Sequence, residues 1–148
     1  MPAANLHLTL RFLGNVDQGR LERLEGLLEQ VRSPRFELAI GGVGAFGSGR
    51  NKRVLWLGIA SGGEAAGALA AQIELACVEA GLIQDERPFR AHVTLARARD
   101  RRGAAAPELS ALPGLEPWMA NEFVLFRSKT GPRGAEYIPL RTFGLFTL

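Results

Sequence analysis

Cysteine occurs once, lysine and histidine twice each, and threonine only five times in this chain of 148 residues. A single cysteine rules out any disulfide within the chain. Cys77 sits in the apolar, alanine-rich stretch AAQIELACVEAGL, the setting of a small buried hydrophobe rather than of a nucleophile or ligand. No apolar run is long enough to span a bilayer, and the opening MPAANLHLTL lacks the basic segment and apolar core of a secretory signal. A reducing, cytoplasmic setting is the resulting expectation. Missing as well are a GxSxG elbow, a Walker loop and a glycine fingerprint between a strand and a helix. The glycines of GGVGAFGSG precede no helix, so they read as a bend and a turn and not as a phosphate cradle. His7, His92 and Cys77 are too scattered to make a metal site by spacing, although carboxylates can in principle complete one.

What is present begins with an ordinary globular composition. A content of 47% hydrophobic and 22% charged residues suits one compact domain over residues 1–148, of one lobe or two. The net charge of +3 rests on sixteen arginines, with Lys52 and Lys129 the only lysines. Arginine grips phosphate oxygens through a planar fork, so this balance is compatible with a nucleotide or RNA substrate. The run RARDRR (97–102) reads as a solvated loop, with contact to a phosphate backbone as the sharper alternative.

Periodicity outlines the elements. Leu6, Leu8, Leu10 and Phe12 alternate as in a strand over 6–13. Asp17 caps a helix over 17–33, with Leu21, Leu24, Leu28 and Val31 at helical spacing and Pro34 as its stop. Residues 36–46 read as a strand broken by glycines, 47–52 as a turn, 54–60 as a short apolar strand, and 64–80 as a helix ended by Gly81. A strand over 91–97, a loop or insertion over 102–114, a strand over 122–128, a tight turn over 131–134 and a hairpin partner over 135–140 complete the chain. Several neighbouring strands joined by short turns predict antiparallel sheets carrying helices on one side, an α+β fold.

Both histidines occupy one frame: LHLTLRFLG (6–14) and AHVTLAR (91–97) each read His, apolar, Thr, Leu. With threonine this scarce, composition alone would put one two places after both histidines about once in a thousand chains. One histidine in an apolar strand is an ordinary core residue; a matched pair is not. Alternation sends His7, Thr9 and Arg11 to one face while Leu6, Leu8, Leu10 and Phe12 turn to the core, and does the same for Arg90, His92 and Thr94 against Ala91, Val93 and Leu95. Two such strands on one cleft would offer two imidazoles and two hydroxyls. An imidazole titrates near pH 6.5, so of two, one can accept a proton while the other donates, as in-line attack on phosphorus requires. Threonine hydroxyls and an arginine can hold the nonbridging oxygens. Phe46, Trp56 and Tyr137 are candidates to stack on a base, with core packing the favoured reading of Trp56.

The paired frames, with VLWLGIA before the second helix and the closing SKTGPRGAEYIPL, resemble the 2H phosphoesterase superfamily, and within it the bacterial RNA 2′,3′-cyclic phosphodiesterases, also called 2′-5′ RNA ligase-like proteins. The resemblance implies a bilobal fold with pseudo-twofold symmetry, two antiparallel sheets lining a central cleft and helices outside. It implies metal-independent hydrolysis of a terminal 2′,3′-cyclic phosphate to a 2′-phosphate, with reverse 2′-5′ ligation in some members and no cofactor. His7 would protonate the departing 3′ oxygen, His92 would activate water, and the symmetry makes that assignment reversible. Thr9 and Thr94 carry over as phosphate binders. Arg97 matches an arginine that often follows the second motif, although strict alternation puts it on the wrong face unless the strand ends or bulges. The implied partner is RNA ending in a 2′,3′-cyclic phosphate, tRNA fragments among them, or a small cyclic nucleotide, handled by a monomer with no membrane contact. The competing reading is an RNA-binding module that uses the same basic cleft without turnover.

The order strand, helix, histidine strand over 54–97 finds no counterpart ahead of His7, where only six residues stand. Family members usually begin with such a segment. The expectation is a chain short of its first strand and helix, with an uncovered sheet edge and exposed apolar surface in the first lobe.

Overall fold

The computed structural model describes residues 5–48, 51–97 and 116–147. Among these residues two helices, α1 (Gln18–Leu28) and α2 (Gly63–Glu79), accompany six strands: β1 (Phe36–Ser48), β2 (Asn51–Ser61), β3 (His92–Arg97), β4 (Trp118–Ala120), β5 (Glu122–Gly131) and β6 (Gly134–Gly144). One sheet has the order β3-β2-β1-β4, every neighbour antiparallel, and β5 and β6 form a second, two-stranded sheet. The link between them is backbone. Arg35 N–H donates to the Phe146 carbonyl at 2.9 Å and Phe146 N–H to that of Ser33 at 3.1 Å. The architecture is α+β.

The main core lies between the helices and the second sheet. Leu24 and Leu28 of α1 and Leu69, Ile73, Ala76 and Cys77 of α2 meet Phe123, Leu125, Phe143 and Leu145. Phe123 and Phe143 are register partners and stack at 4.9 Å. Alanines and the cysteine on α2 keep its buried stripe thin, which lets the helix approach closely. Cys77 is the hydrophobe its surroundings imply: fully buried, with burial pushing its thiol up to about 11.

Caps behave as their residues dictate. Asp17 accepts from the Arg20 amide at 2.9 Å at the start of α1. Gly81, at φ +95°, follows Ala80 past the end of α2, where a side chain would be strained. Helix α1 stops at Leu28 and not at Pro34, because the Gln30 and Val31 amides tighten onto carbonyls three residues back. Arg32 N–H then donates to Gln72 Oε1 on α2 at 3.2 Å, outside any helix. The glycine-rich strand is continuous, with its register shifting between Ala39 and Val43. Gly42 takes φ +77° there, so the expected break is a bulge. The three residues of β4 escape the periodicity argument because they are too few to show a period. The expected loop over 102–114 lies outside the described residues.

The expected strand over 6–13 is the main departure. Only Leu8 pairs, as an isolated antiparallel bridge to Val93, and the chain bends at Leu10. Alternation therefore fails beyond Thr9. Phe12 is 68% exposed and Leu6 43%, both contrary to the core positions expected of them, while Leu10 and Leu13 do pack on the core. Past the bend, Arg11 donates through Nε to Glu74 on α2, and through its terminal nitrogens to the carbonyls of Phe12 and, at 2.6 Å, Ile83. The other Glu74 oxygen accepts the Asp85 amide at 2.7 Å.

The Arg11 hydrogen bond, helped by the Asp85 amide and opposed by burial, holds the Glu74 carboxyl below its ordinary value. A carboxyl held low in the folded state contributes stability that is complete above the usual glutamate value of about 4.3 and is lost as pH falls through the lower folded value. Thermal melts across pH 2–6 are expected to show a shallower acid decline for Glu74→Gln than for the parent; equal slopes would remove this pair from the acid response.

Candidate active site

His7 is set by three neighbours. Asn5 Nδ2 donates to the Ala135 carbonyl at 2.9 Å, tying this segment to β6, and Leu8 bridges Val93 on β3. The His7 ring meets Tyr137 of β6 edge-on, with centroids 4.8 Å apart. An antiparallel register fixed at Leu8 and Val93 sets His7 across from Thr94 and Thr9 across from His92, on the side that Leu8 and Val93 leave. The two frames thus interleave along the paired backbones.

Both rings are held alike. His7 Nδ1–H donates to the Asn5 carbonyl at 2.5 Å, and His92 Nδ1–H to the Arg90 carbonyl at 2.7 Å, in each case the residue two places earlier. A carbonyl only accepts, so the proton sits on Nδ1 in both rings. Nε2 is left as acceptor when the ring is neutral and as donor when it is charged. That is the arrangement general acid–base work needs.

The second histidine has an aromatic wall of its own. Phe46 and Trp56 meet the His92 ring at 6.2 and 6.3 Å and each other at 5.5 Å. On β2, Leu57 turns to the core while Trp56 faces Thr94 across the ladder on the opposite side. Trp56 is therefore part of the site wall and not core, contrary to the favoured reading. Its signal was available in the alternation of Val54, Trp56 and Gly58 against Leu55, Leu57 and Ile59. Trp56 lies over Gly44, its partner on β1, where a methyl group would overlap the indole. Among the described residues, Trp56 Nε1 is the one buried side-chain polar atom without a hydrogen-bond partner.

The arginines divide. Arg11 shares no face with His7, because the bend at Leu10 turns it to Glu74. Arg90 is exposed and serves the site through its carbonyl. Arg97 is returned to the cleft side by a bulge. Pairing with β2 slips by one residue after Thr94, so Trp56 faces Thr94 but Val54 faces Arg97, which puts Arg97 on the side of Thr94 and His92. Phe46 is 45% exposed and Tyr137 half-buried, so both rings keep open surface. Among the described residues no group of three or more His, Cys, Asp or Glu is placed to hold a metal ion.

Residues 1–132 match the model of the 2′-5′ RNA ligase superfamily. The chain belongs to that superfamily. An RNA 2′,3′-cyclic phosphodiesterase of Archaeoglobus fulgidus is 33% identical over 142 residues, spanning 94% of this chain and 79% of the relative. Escherichia coli LigT, crystallised with 3′-AMP, superposes with a TM-score of 0.79 at 30% identity, covering 97% of this chain and 79% of its own. A protein of Thermus thermophilus reaches a TM-score of 0.82 at 28% identity, over 98% of this chain and 80% of its own. Antiparallel sheets carrying two helices are thus the 2H phosphoesterase fold expected from the paired frames. No helix among the described residues is long and apolar enough to cross a membrane.

Because the indole fills the space above Gly44, Gly44→Ala is expected to displace Trp56 and destabilise the protein by about 1–3 kcal/mol, as overpacking does. Urea titration followed by tryptophan emission reads both effects; an unchanged midpoint and spectrum would mean that the sheet yields there.

Proposed function

We propose that the protein hydrolyses terminal 2′,3′-cyclic phosphates of RNA to 2′-phosphates. The observation that carries the reading is the interleaving of two His-x-Thr frames across the Leu8–Val93 bridge, with both Nε2 atoms free of the Nδ1 hydrogen bonds. His92 Nε2 takes a proton from water as its oxygen attacks phosphorus. The bond from phosphorus to O3′ breaks, and His7 Nε2–H protonates the departing oxygen. Thr9 and Thr94 hold the nonbridging oxygens, joined by Arg97 on the cleft side and by Arg90 at its edge. Phe46 and Tyr137 present aromatic surface to a base on either side. Arg11 has no place in this set, since its guanidinium is taken up by Glu74 and two carbonyls.

The two imidazoles supply both proton transfers, so the step needs no metal. A 5′-hydroxyl in place of water gives a 2′-5′ linkage by the same movements, which is the ligation direction. The substrate class is an RNA end, tRNA fragments included, or a small cyclic nucleotide, handled by a monomer. A buried single cysteine suits a reducing, cytoplasmic setting.

The test is turnover of a 2′,3′-cyclic-phosphate oligonucleotide in EDTA. His7→Ala and His92→Ala are each expected to lose at least about 100-fold in kcat while binding persists. Equal rates in both variants and parent would overturn the reading, and binding without turnover in the parent would leave an RNA-binding module. The parent rate is expected to trace a bell against pH, because one ring must be charged and the other neutral; a flat profile from pH 5 to 9 would contradict the paired roles.

A further inference from the structure

We infer that Arg11 and Glu74 form a positioning pair that fixes the two histidine frames relative to one another, an inference that rests on the proposed reaction. The bridge between Leu8 and Val93 is isolated, with no further ladder pair on either side among the described residues. A single bridge sets a meeting point and leaves rotation about it poorly held. The Asn5 tether and the Tyr137 contact hold the frame to the second sheet, and just past the frame the structure supplies a further constraint toward α2. Arg11 lies two residues after Thr9, with its side chain only 10% exposed. Its three guanidinium contacts join its own segment, α2 and the Ile83 carbonyl.

Glu74, 22% exposed, carries the link onward. While one oxygen takes Arg11, the other takes the Asp85 amide at 2.7 Å. Asp85 in turn accepts from the Arg87 amide at 3.1 Å and from its guanidinium at 2.9 and 3.0 Å, in the stretch of chain that precedes Arg90 and His92. One acid–base pair therefore reaches from the exit of the first frame to the lead-in of the second. A partly buried ion pair recovers little net stability after desolvation, so its effect is felt in the choice of arrangement. Arg11 stands behind the frames and touches neither imidazole, and it acts through their placement.

Arg11→Met, Arg11→Lys and Glu74→Gln in the full chain test this on a 2′,3′-cyclic-phosphate dinucleotide. Arg11→Met is expected to lower kcat about tenfold or more with KM within about twofold, as small misplacements of reacting groups do. Arg11→Lys, which keeps the charge on Glu74 but not the fork to both carbonyls, should fall between Met and parent. Nitrogen-15 spectra of the imidazoles provide a readout independent of turnover: His7 and His92 signals should broaden or double in Arg11→Met while amides of β5 and β6 stay in place. Parent-like kcat and imidazole spectra in Arg11→Met and Arg11→Lys would overturn the inference. So would a kcat loss matched by shifts throughout β5 and β6, since that is general loosening. If Arg11→Met does not fold, Arg11→Lys and Glu74→Gln decide by the same readouts. A parent that binds but never turns over removes the reaction, and the imidazole spectra still decide whether the pair holds the frames.

Discussion

The site depends on one antiparallel meeting, Leu8 with Val93. Both histidines and both threonines of the paired frames sit one residue to either side of it, and antiparallel geometry sets each histidine opposite the other frame's threonine. A slip of one residue would turn His7 and Thr9 to the opposite side and leave His92 facing an apolar neighbour. The inward side chains enforce the register: Val93 is buried, and Leu10 and Leu13 are held against the core just downstream. The hydrophobic core thus dictates a polar geometry that it never touches.

Each histidine leans on a different sheet. His7 rests on Tyr137 of β6 and is tethered near Ala135, whereas His92 belongs to β3 and faces Phe46 and Trp56 from β1 and β2. The cleft is therefore a seam between two sheets. Backbone hydrogen bonds of Arg35 and Phe146 join the segments beside β1 and β6, and the helices pack against the second sheet. Aromatic surface thus flanks the histidine frames from both sheets, which is the basis for the proposed stacking of a base.

Much of this was legible in the chain. The helix caps at Asp17 and Gly81, the hairpin of β5 and β6, and the buried role of Cys77 follow from local chemistry, and the structure reproduces them. The paired frames were legible because scarce residues recur at one spacing. Other features were hidden because they depend on partners far along the chain. The bend at Leu10 redirects Arg11 to Glu74, a residue of α2 that no local pattern nominates. The bulge after Thr94 reverses the parity of Arg97, and only pairing with β2 reveals it. An apolar strand looks the same whether its large residue faces the core or a cleft, and for Trp56 the room that Gly44 leaves on β1 settles the direction.

The matched Nδ1 contacts have a consequence for polarity. Both rings are anchored through the same nitrogen to the carbonyl two residues earlier, so the protein backbone does not distinguish one imidazole from the other. Direction in the proposed reaction is thus left to the ligand: whichever ester oxygen lay beside a given ring would determine which way protons flow.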